Sequence, residues 1–178
     1  MQVRLTTVFM LAACATDSLP ADVPRPEVPE PIAVPEGQRV AAVGHATGVQ
    51  IYECAADADA NLTWRLRAPR AELFDDRKMF ATHFGGVDVG STAGPYWQSV
   101  DDGSSVRGGN VVSAPNPGHI PLLRLDALEV AGDGIFSRVT FIHRLATVGG
   151  IGPTGACPSA DARMEMPYTS DYYFYEPE

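Results

Sequence analysis

Four residues in the middle of the chain carry side chains suited to binding or transforming a ligand: His83, Trp97, Asp102 and Ser104. An imidazole can transfer protons near neutral pH or bind a metal, a carboxylate can orient it, and an aromatic face supplies apolar contact. This mixture is typical of a binding cleft. We therefore expect a ligand site here, provided that the fold places the segment around His83 beside the one that begins at Tyr96.

Each of these residues also has a purely structural interpretation. The sequence Asp101-Asp102-Gly103-Ser104 is typical of a hairpin turn, in which an aspartate accepts hydrogen bonds from nearby backbone and the glycine adopts a positive φ. The serine lacks the G-x-S-x-G setting of an activated nucleophile. His83 fits a half-buried strand position, and large aromatic residues most often supply core area.

Histidine and cysteine spacing argues against a metal site. The chain has four histidines: His45, His83, His119 and His143. A zinc site built from Cys54 and Cys157 with His45 or His143 is disfavoured, because neither cysteine has a second ligand at the close spacing of structural sites. We expect no bound metal, and we interpret His143 as a hydrogen-bonded core residue.

An apolar run from Leu5 to Cys14 opens the chain, with Arg4 before it. The run is too short to span a membrane, which takes about 20 residues, and its layout is that of a secretory signal. Leu11-Ala12-Ala13-Cys14 resembles the lipobox of bacterial lipoproteins, which implies removal of residues 1–13 and acylation of Cys14. Plain secretion with cleavage nearby is the alternative.

This signal predicts the compartment. Acyl chains on Cys14 would anchor the protein to a membrane, and Ala15 in place of aspartate after the cysteine suggests the outer membrane by resemblance to bacterial sorting rules. In an exported protein the remaining pair, Cys54 and Cys157, is expected to form a disulfide. We therefore predict a lipid-anchored protein of the cell envelope.

Residues 14–37 are rich in proline and lack apolar periodicity. Such a stretch favours an extended polyproline conformation of about 3.1 Å per residue, which is typical of a tether. Residues 38–178 are long enough for one domain with its own core.

Strand signals dominate this domain. From Leu62 to Arg67 and from Arg138 to Leu145, apolar and polar residues alternate, which places Arg144 on the polar face of its strand. Near the end of the chain, Tyr168, Tyr172 and Phe174 share one side of a strand. Further short strands are expected at 49–54, 79–84, 96–100, 105–112 and 122–128. Glycine and proline turns separate them, so we predict an all-β fold, an antiparallel β-sandwich or barrel with little helix.

Several motifs resemble those of one family. A Q-I-Y-x-C sequence spans Gln50 to Cys54, W-x-x-x-x-D-G-S spans Trp97 to Ser104, and T-x-G-G spans Thr147 to Gly150. In this order, and with the surrounding sequence from Val40 onward, they resemble the uncharacterised DUF3455 family of exported bacterial and fungal proteins. The resemblance implies a single-domain unit and no particular activity.

A nucleotide cofactor is not expected. Gly150, Gly152 and Gly155 match the G-x-G-x-x-G pattern, which binds a pyrophosphate only when it opens a helix. Pro153 and Pro158 lie where that helix would run. We interpret the stretch as a glycine-rich loop held by the disulfide, and we predict no cofactor.

Charge narrows the range of partners. The chain has 22 acidic and 13 basic residues, a net charge of −9 at pH 7, and no basic cluster. Nucleic acid is not expected as a partner, since phosphate binding requires a basic face. We expect a membrane contact through the lipid anchor and a small-molecule or envelope ligand.

Whether the protein is an enzyme is left open at this point. A non-catalytic binding or structural module of the cell envelope is favoured, because no catalytic motif is complete. The alternative is an envelope hydrolase or metal-dependent enzyme that uses His83 with Asp102 or His119, which requires these side chains to converge in one pocket.

The lipobox makes a direct prediction. Replacing Cys14 with Ala removes the only group that could be acylated there, so the protein should move from the membrane fraction to the soluble fraction. Fractionation followed by immunoblotting measures this. An unchanged membrane fraction would show that the apolar run or another segment holds the protein.

Overall fold

The computed structural model describes residues 23–76 and 78–178. The predicted signal peptide and the proposed lipidation site at Cys14 lie outside the described residues. None of the helical segments within these ranges is long and apolar enough to cross a membrane.

The described chain forms eight β-strands and two short 3-10 helices. The strands are β1 (Gln38–Ala56), β2 (Leu62–Asp75), β3 (Lys78–Gly85), β4 (Pro95–Ser99), β5 (Ser105–Ala114), β6 (Leu122–Ala131), β7 (Phe141–Gly149) and β8 (Arg163–Pro177). The 3-10 helices are Glu30–Ile32 and Gly86–Val89. The all-β prediction is confirmed, and of its two architectures the chain adopts the barrel.

Each strand pairs antiparallel with the next, and β1 pairs with β8 to close the barrel. The closing ladder is long, running from Gln38 opposite Pro177 to Glu53 opposite Arg163. Close packing between β1 and β2 depends on Gly48, since a Cβ on this residue would lie 2.2 Å from the carbonyl oxygen of Arg70. Each of the eight described strands therefore has a paired neighbour on both sides, as expected of a closed barrel.

Large side chains fill one end of the barrel interior. The buried cluster there includes Leu73, Trp97, Phe136, Ile142 and Phe174. The Phe136 and Phe174 rings lie 4.8 Å apart between centroids. This is the end that carries the β4–β5 turn and the β6–β7 connection, and it is closed.

The segment before β1 packs against the outside of the barrel. Ile32 and Val34 are buried, and the Ile32 carbonyl accepts a hydrogen bond from Nε2–H of His143 at 2.7 Å. The Tyr175 hydroxyl lies 3.0 Å from the other ring nitrogen of His143. The later part of the predicted tether is therefore not a free spacer.

This cover changes the character of β7. The strand was expected to have one buried and one exposed face, with Arg144 on the exposed one, but both faces are buried. His143 and Leu145 face the outer segment, whereas Ile142 and Arg144 face the interior, opposite Phe174 and Tyr172 of β8. The alternation of apolar and polar residues in β7 gave a wrong prediction for Arg144, because the segment that includes Ile32 covers the face of β7 that would otherwise be exposed to solvent.

The predicted disulfide is confirmed. Cys54, near the end of β1, is bonded to Cys157 in the β7–β8 connection, with a Cα–Cα distance of 5.8 Å. Backbone hydrogen bonds reinforce the tie: Cys54 N–H donates to the Ala162 carbonyl at 2.8 Å, and Asp161 N–H donates to the Cys54 carbonyl at 3.0 Å.

The bridge should contribute strongly to stability. It links residues 103 positions apart, so on the chain-entropy model the double variant Cys54→Ala/Cys157→Ala should lose about 4–5 kcal/mol of unfolding free energy. Urea denaturation measures this. As a matched control, a reducing agent should destabilise the native protein and leave the stability of the double variant unchanged. Equal stability of the native protein and the double variant in the absence of reducing agent would contradict the prediction.

Candidate functional site

A cavity of about 350 Å³ lies inside the barrel at the end opposite the filled one. Its walls are mainly apolar and include Leu66, Pro69, Val111, Ile120, Leu123 and Leu125. Its polar lining residues are Gln50, Tyr52, His83, Arg144 and Tyr172. The volume lies within the range of pockets that bind small molecules.

His83 and Trp97 meet on the cavity wall. They are opposite each other on β3 and β4, and their rings stack with centroids 4.3 Å apart and planes 8° from parallel. Both side chains are buried in the barrel interior. The structure thus brings together two of the four residues that the sequence proposed for a ligand site.

The environment of His83 fixes its charge. Burial lowers its pKa to about 3, and the bond between Nδ1 and the Tyr96 carbonyl at 2.8 Å acts in the opposite direction. Because a carbonyl only accepts, Nδ1 carries the proton of the neutral ring and Nε2 is an acceptor. His83 therefore stays neutral at physiological pH, which makes it a hydrogen-bonding group rather than a carrier of protons.

Asp102 and Ser104 lie at the filled end and do not line the cavity. Hydrogen bonds from the Ser104 side chain and from the backbone N–H groups of Ile135 and Ser104 lower the pKa of Asp102 to about 2. The Ser104 hydroxyl accepts a hydrogen bond from the Phe136 N–H at 3.2 Å. Both residues tie the β4–β5 turn to the β6–β7 connection, which fits the turn interpretation of this motif.

His119 has a structural contact as well. Its Nδ1 accepts a hydrogen bond from the Gly149 N–H at 3.0 Å, and the residue does not line the cavity. Within residues 23–76 and 78–178, no group of three histidine, cysteine or acidic side chains could hold a metal ion.

Arg144 and Tyr172 belong to the cavity and were not predicted for it. They are cross-strand partners on β7 and β8, and Leu123 lies opposite Arg144 on the other side. The Tyr172 ring lies 5.1 Å from His83 and 5.3 Å from Trp97 between centroids. The sequence pattern of β8 places Tyr172 on the inward face of that strand. Because antiparallel pairing places Arg144 opposite Tyr172, this pattern could have indicated that Arg144 also faces inward.

Arg144 is the charged residue of the cavity wall, and it creates a positive electrostatic potential around the side chains near it. Burial raises the pKa of Tyr172, and the Arg144 guanidinium acts in the opposite direction. The same two effects operate on Tyr52. No aspartate or glutamate lines the cavity among the residues that the structure describes.

Two of the family-like motifs, Gln50 to Cys54 and Thr147 to Gly150, build the cavity end of the barrel. Gln50 and Tyr52 line the cavity, whereas Cys54 carries the disulfide. The Tyr52 hydroxyl donates to the Gly150 carbonyl at 2.9 Å, and the Thr147 hydroxyl donates to the Ile120 carbonyl at 2.6 Å. These bonds fix the two connections that form the rim.

The G-x-G-x-x-G stretch serves this packing. A Cβ on Gly152 would lie 2.6 Å from the Tyr52 ring, and one on Gly150 would lie 3.0 Å from side-chain atoms of Ile120 and Tyr168. No helix follows these glycines in the structure. Their role here is close approach of the loop to the barrel rim, not the turn into a phosphate-binding helix.

The fold and cavity define a class of protein: a closed, eight-stranded antiparallel barrel with a mainly apolar cavity that opens at one end. The chain belongs to the family described as "Protein of unknown function (DUF3455)", whose family model matches residues 35–176. No curated protein and no solved structure matches this chain significantly.

The buried neutral imidazole predicts an acid-sensitive stability. Between its ordinary pKa of 6.5 and its folded pKa of about 3, only the unfolded chain takes up a proton at His83. The unfolding free energy should therefore fall by up to about 1.4 kcal/mol per pH unit across this window as the pH is lowered. Urea denaturation between pH 7 and pH 4 measures the slope.

The variant His83→Asn removes this titration while retaining an amide near the position of Nδ1, so its slope should be shallower. His143 contributes a remaining slope of the same sign, because burial also lowers its pKa. The exposed His45→Asn serves as the control variant and should retain the native contribution of His83. An unchanged slope in His83→Asn would contradict the assignment.

Proposed function

We propose that the protein is a non-catalytic binding module of the cell envelope whose barrel cavity holds a small, largely apolar molecule. The observation that carries the proposal is the cavity of about 350 Å³ at the open end of the barrel, with mainly apolar walls and few polar groups. Eight-stranded barrels are wide enough to hold one small ligand, and mainly apolar pockets with a few placed polar groups are typical of binding sites.

The chemistry of the wall supports binding over catalysis. Nucleophilic catalysis uses an activated serine, threonine, cysteine, lysine, carboxylate, histidine or tyrosine. The cavity lining in the described part of the chain contains no serine, threonine, cysteine, lysine or carboxylate. Its tyrosines, Tyr52 and Tyr172, have pKa values raised by burial, which disfavours their ionised, nucleophilic form. His83 donates to a backbone carbonyl instead of a carboxylate, and neither Asp102 nor His119 reaches the cavity wall.

The envelope location rests on the lipobox at Leu11 to Cys14, with secretion as the alternative. The disulfide between Cys54 and Cys157 supports export, because such bonds persist in oxidising compartments. Anchoring at Cys14, with the outer membrane as the expected destination, would place the cavity beside membranes and envelope components.

Blocking the mouth should abolish binding. Val111 lines the cavity and is 55% exposed, so Val111→Trp should narrow the opening without disturbing the core. We expect at least a tenfold loss of affinity for octanamide, a neutral probe of suitable size, measured by isothermal titration calorimetry.

The matched control is Val130→Trp, an equally large change at a residue 47% exposed and away from the cavity. It should bind octanamide like the native protein. Equal affinities in all three proteins would place the binding site elsewhere, and absence of binding to the native protein would reject the cavity as a site for such ligands.

A further inference from the structure

We infer that the ligand carries a carboxylate, that Arg144 binds this group, and that an apolar body occupies the rest of the cavity. The inference rests on the proposed function and specifies its ligand. The observation behind it is the buried positive charge of Arg144 in the cavity wall.

Arg144 is a buried cation with no counter-charge among the residues that the structure describes. Arg144 is only 8% exposed. Its guanidinium forms no ion pair with any residue in the described part of the chain. Buried charges in proteins are normally paired, because removing an ion from water without compensation is strongly unfavourable. An anion in the cavity would supply the missing partner.

Part of the hydrogen-bonding capacity of the guanidinium is unused. Among the described residues, Nη2 donates to the Pro121 carbonyl at 2.9 Å, whereas Nε is buried without a partner. A guanidinium offers five N–H donors in a planar fork that matches the two oxygens of a carboxylate. The group is therefore able to bind one from within the barrel.

Two other lining residues add unused donors. The amide nitrogen of Gln50 and the indole nitrogen of Trp97 are buried without a partner among the described residues, and both residues line the cavity. Native proteins leave few buried polar groups unpaired. Unpaired donors in the cavity lining favour a ligand that brings acceptors.

Size and charge indicate a monoanion with a short apolar body. A cavity of about 150 Å³ can hold benzene, so a cavity of 350 Å³ suits roughly 10–15 non-hydrogen atoms by proportion. One cation can neutralise one negative charge. A doubly charged phosphate would leave a net charge inside mainly apolar walls, so a carboxylate fits better.

The test compares two probes of the same size, octanoate and octanamide, at neutral pH by isothermal titration calorimetry. The native protein should bind octanoate at least tenfold more tightly, as expected when a charge-assisted hydrogen bond replaces a neutral one. Arg144→Met should bind octanoate at least tenfold more weakly than the native protein and should no longer distinguish the probes. Arg144→Gln, which keeps a polar side chain, serves if the methionine variant does not fold.

Arg70→Met is the matched control. It removes the same charge from an exposed arginine on the outside of β2, paired with Glu165, and should retain the native preference. Thermal melts give a second readout: without ligand, Arg144→Met should melt above the native protein, because an uncompensated buried charge has been removed.

The outcomes separate the two proposals. If the native protein binds octanamide as tightly as octanoate, or more tightly, the carboxylate inference is wrong and the cavity stays a binding site. A preference for octanoate that survives in the Arg144 variants also overturns the inference, because the anion would then bind elsewhere. If neither probe binds, the proposed function fails and the inference fails with it.

Discussion

Pairing of the first strand with the last is the constraint on which the rest of the structure depends. The β1–β8 ladder closes eight antiparallel strands into a ring. Closure sets the width of the interior, and it assigns the residues of every strand to the inside or the outside. A sheet of the same strands left open would have no enclosed space, and residues such as Arg144 and His83 would face solvent.

Within that ring, side-chain size divides the interior into two parts. Phe136, Phe174 and Leu73 occupy one end, and the opposite end is left partly empty. The stacked His83 and Trp97 lie on the wall between them. Three polar side chains of the cavity, Tyr52, His83 and Arg144, form hydrogen bonds to backbone carbonyls of β4 and of the two rim connections.

Sequence reasoning predicted the strand-rich fold, the family and the disulfide, because each depends on local signals: alternation, turn residues and cysteine count. It also predicted that His83 and Trp97 could lie together. It missed Arg144 because the pattern in β7 is ambiguous: an outer segment that includes Ile32 covers the face bearing His143 and Leu145. Only the register between β7 and β8 decides which face lies inside, and register is a long-range property.

The outer segment also limits the distance over which an anchored barrel could operate. If Cys14 is acylated, an extended spacer of residues 14–37 would reach about 75 Å from the bilayer, but packing of the chain from Val28 onward leaves about 43 Å at the same rise per residue. The barrel would then stay within that distance of the lipid surface. A sparingly soluble molecule could pass between bilayer and protein with little exposure to bulk water.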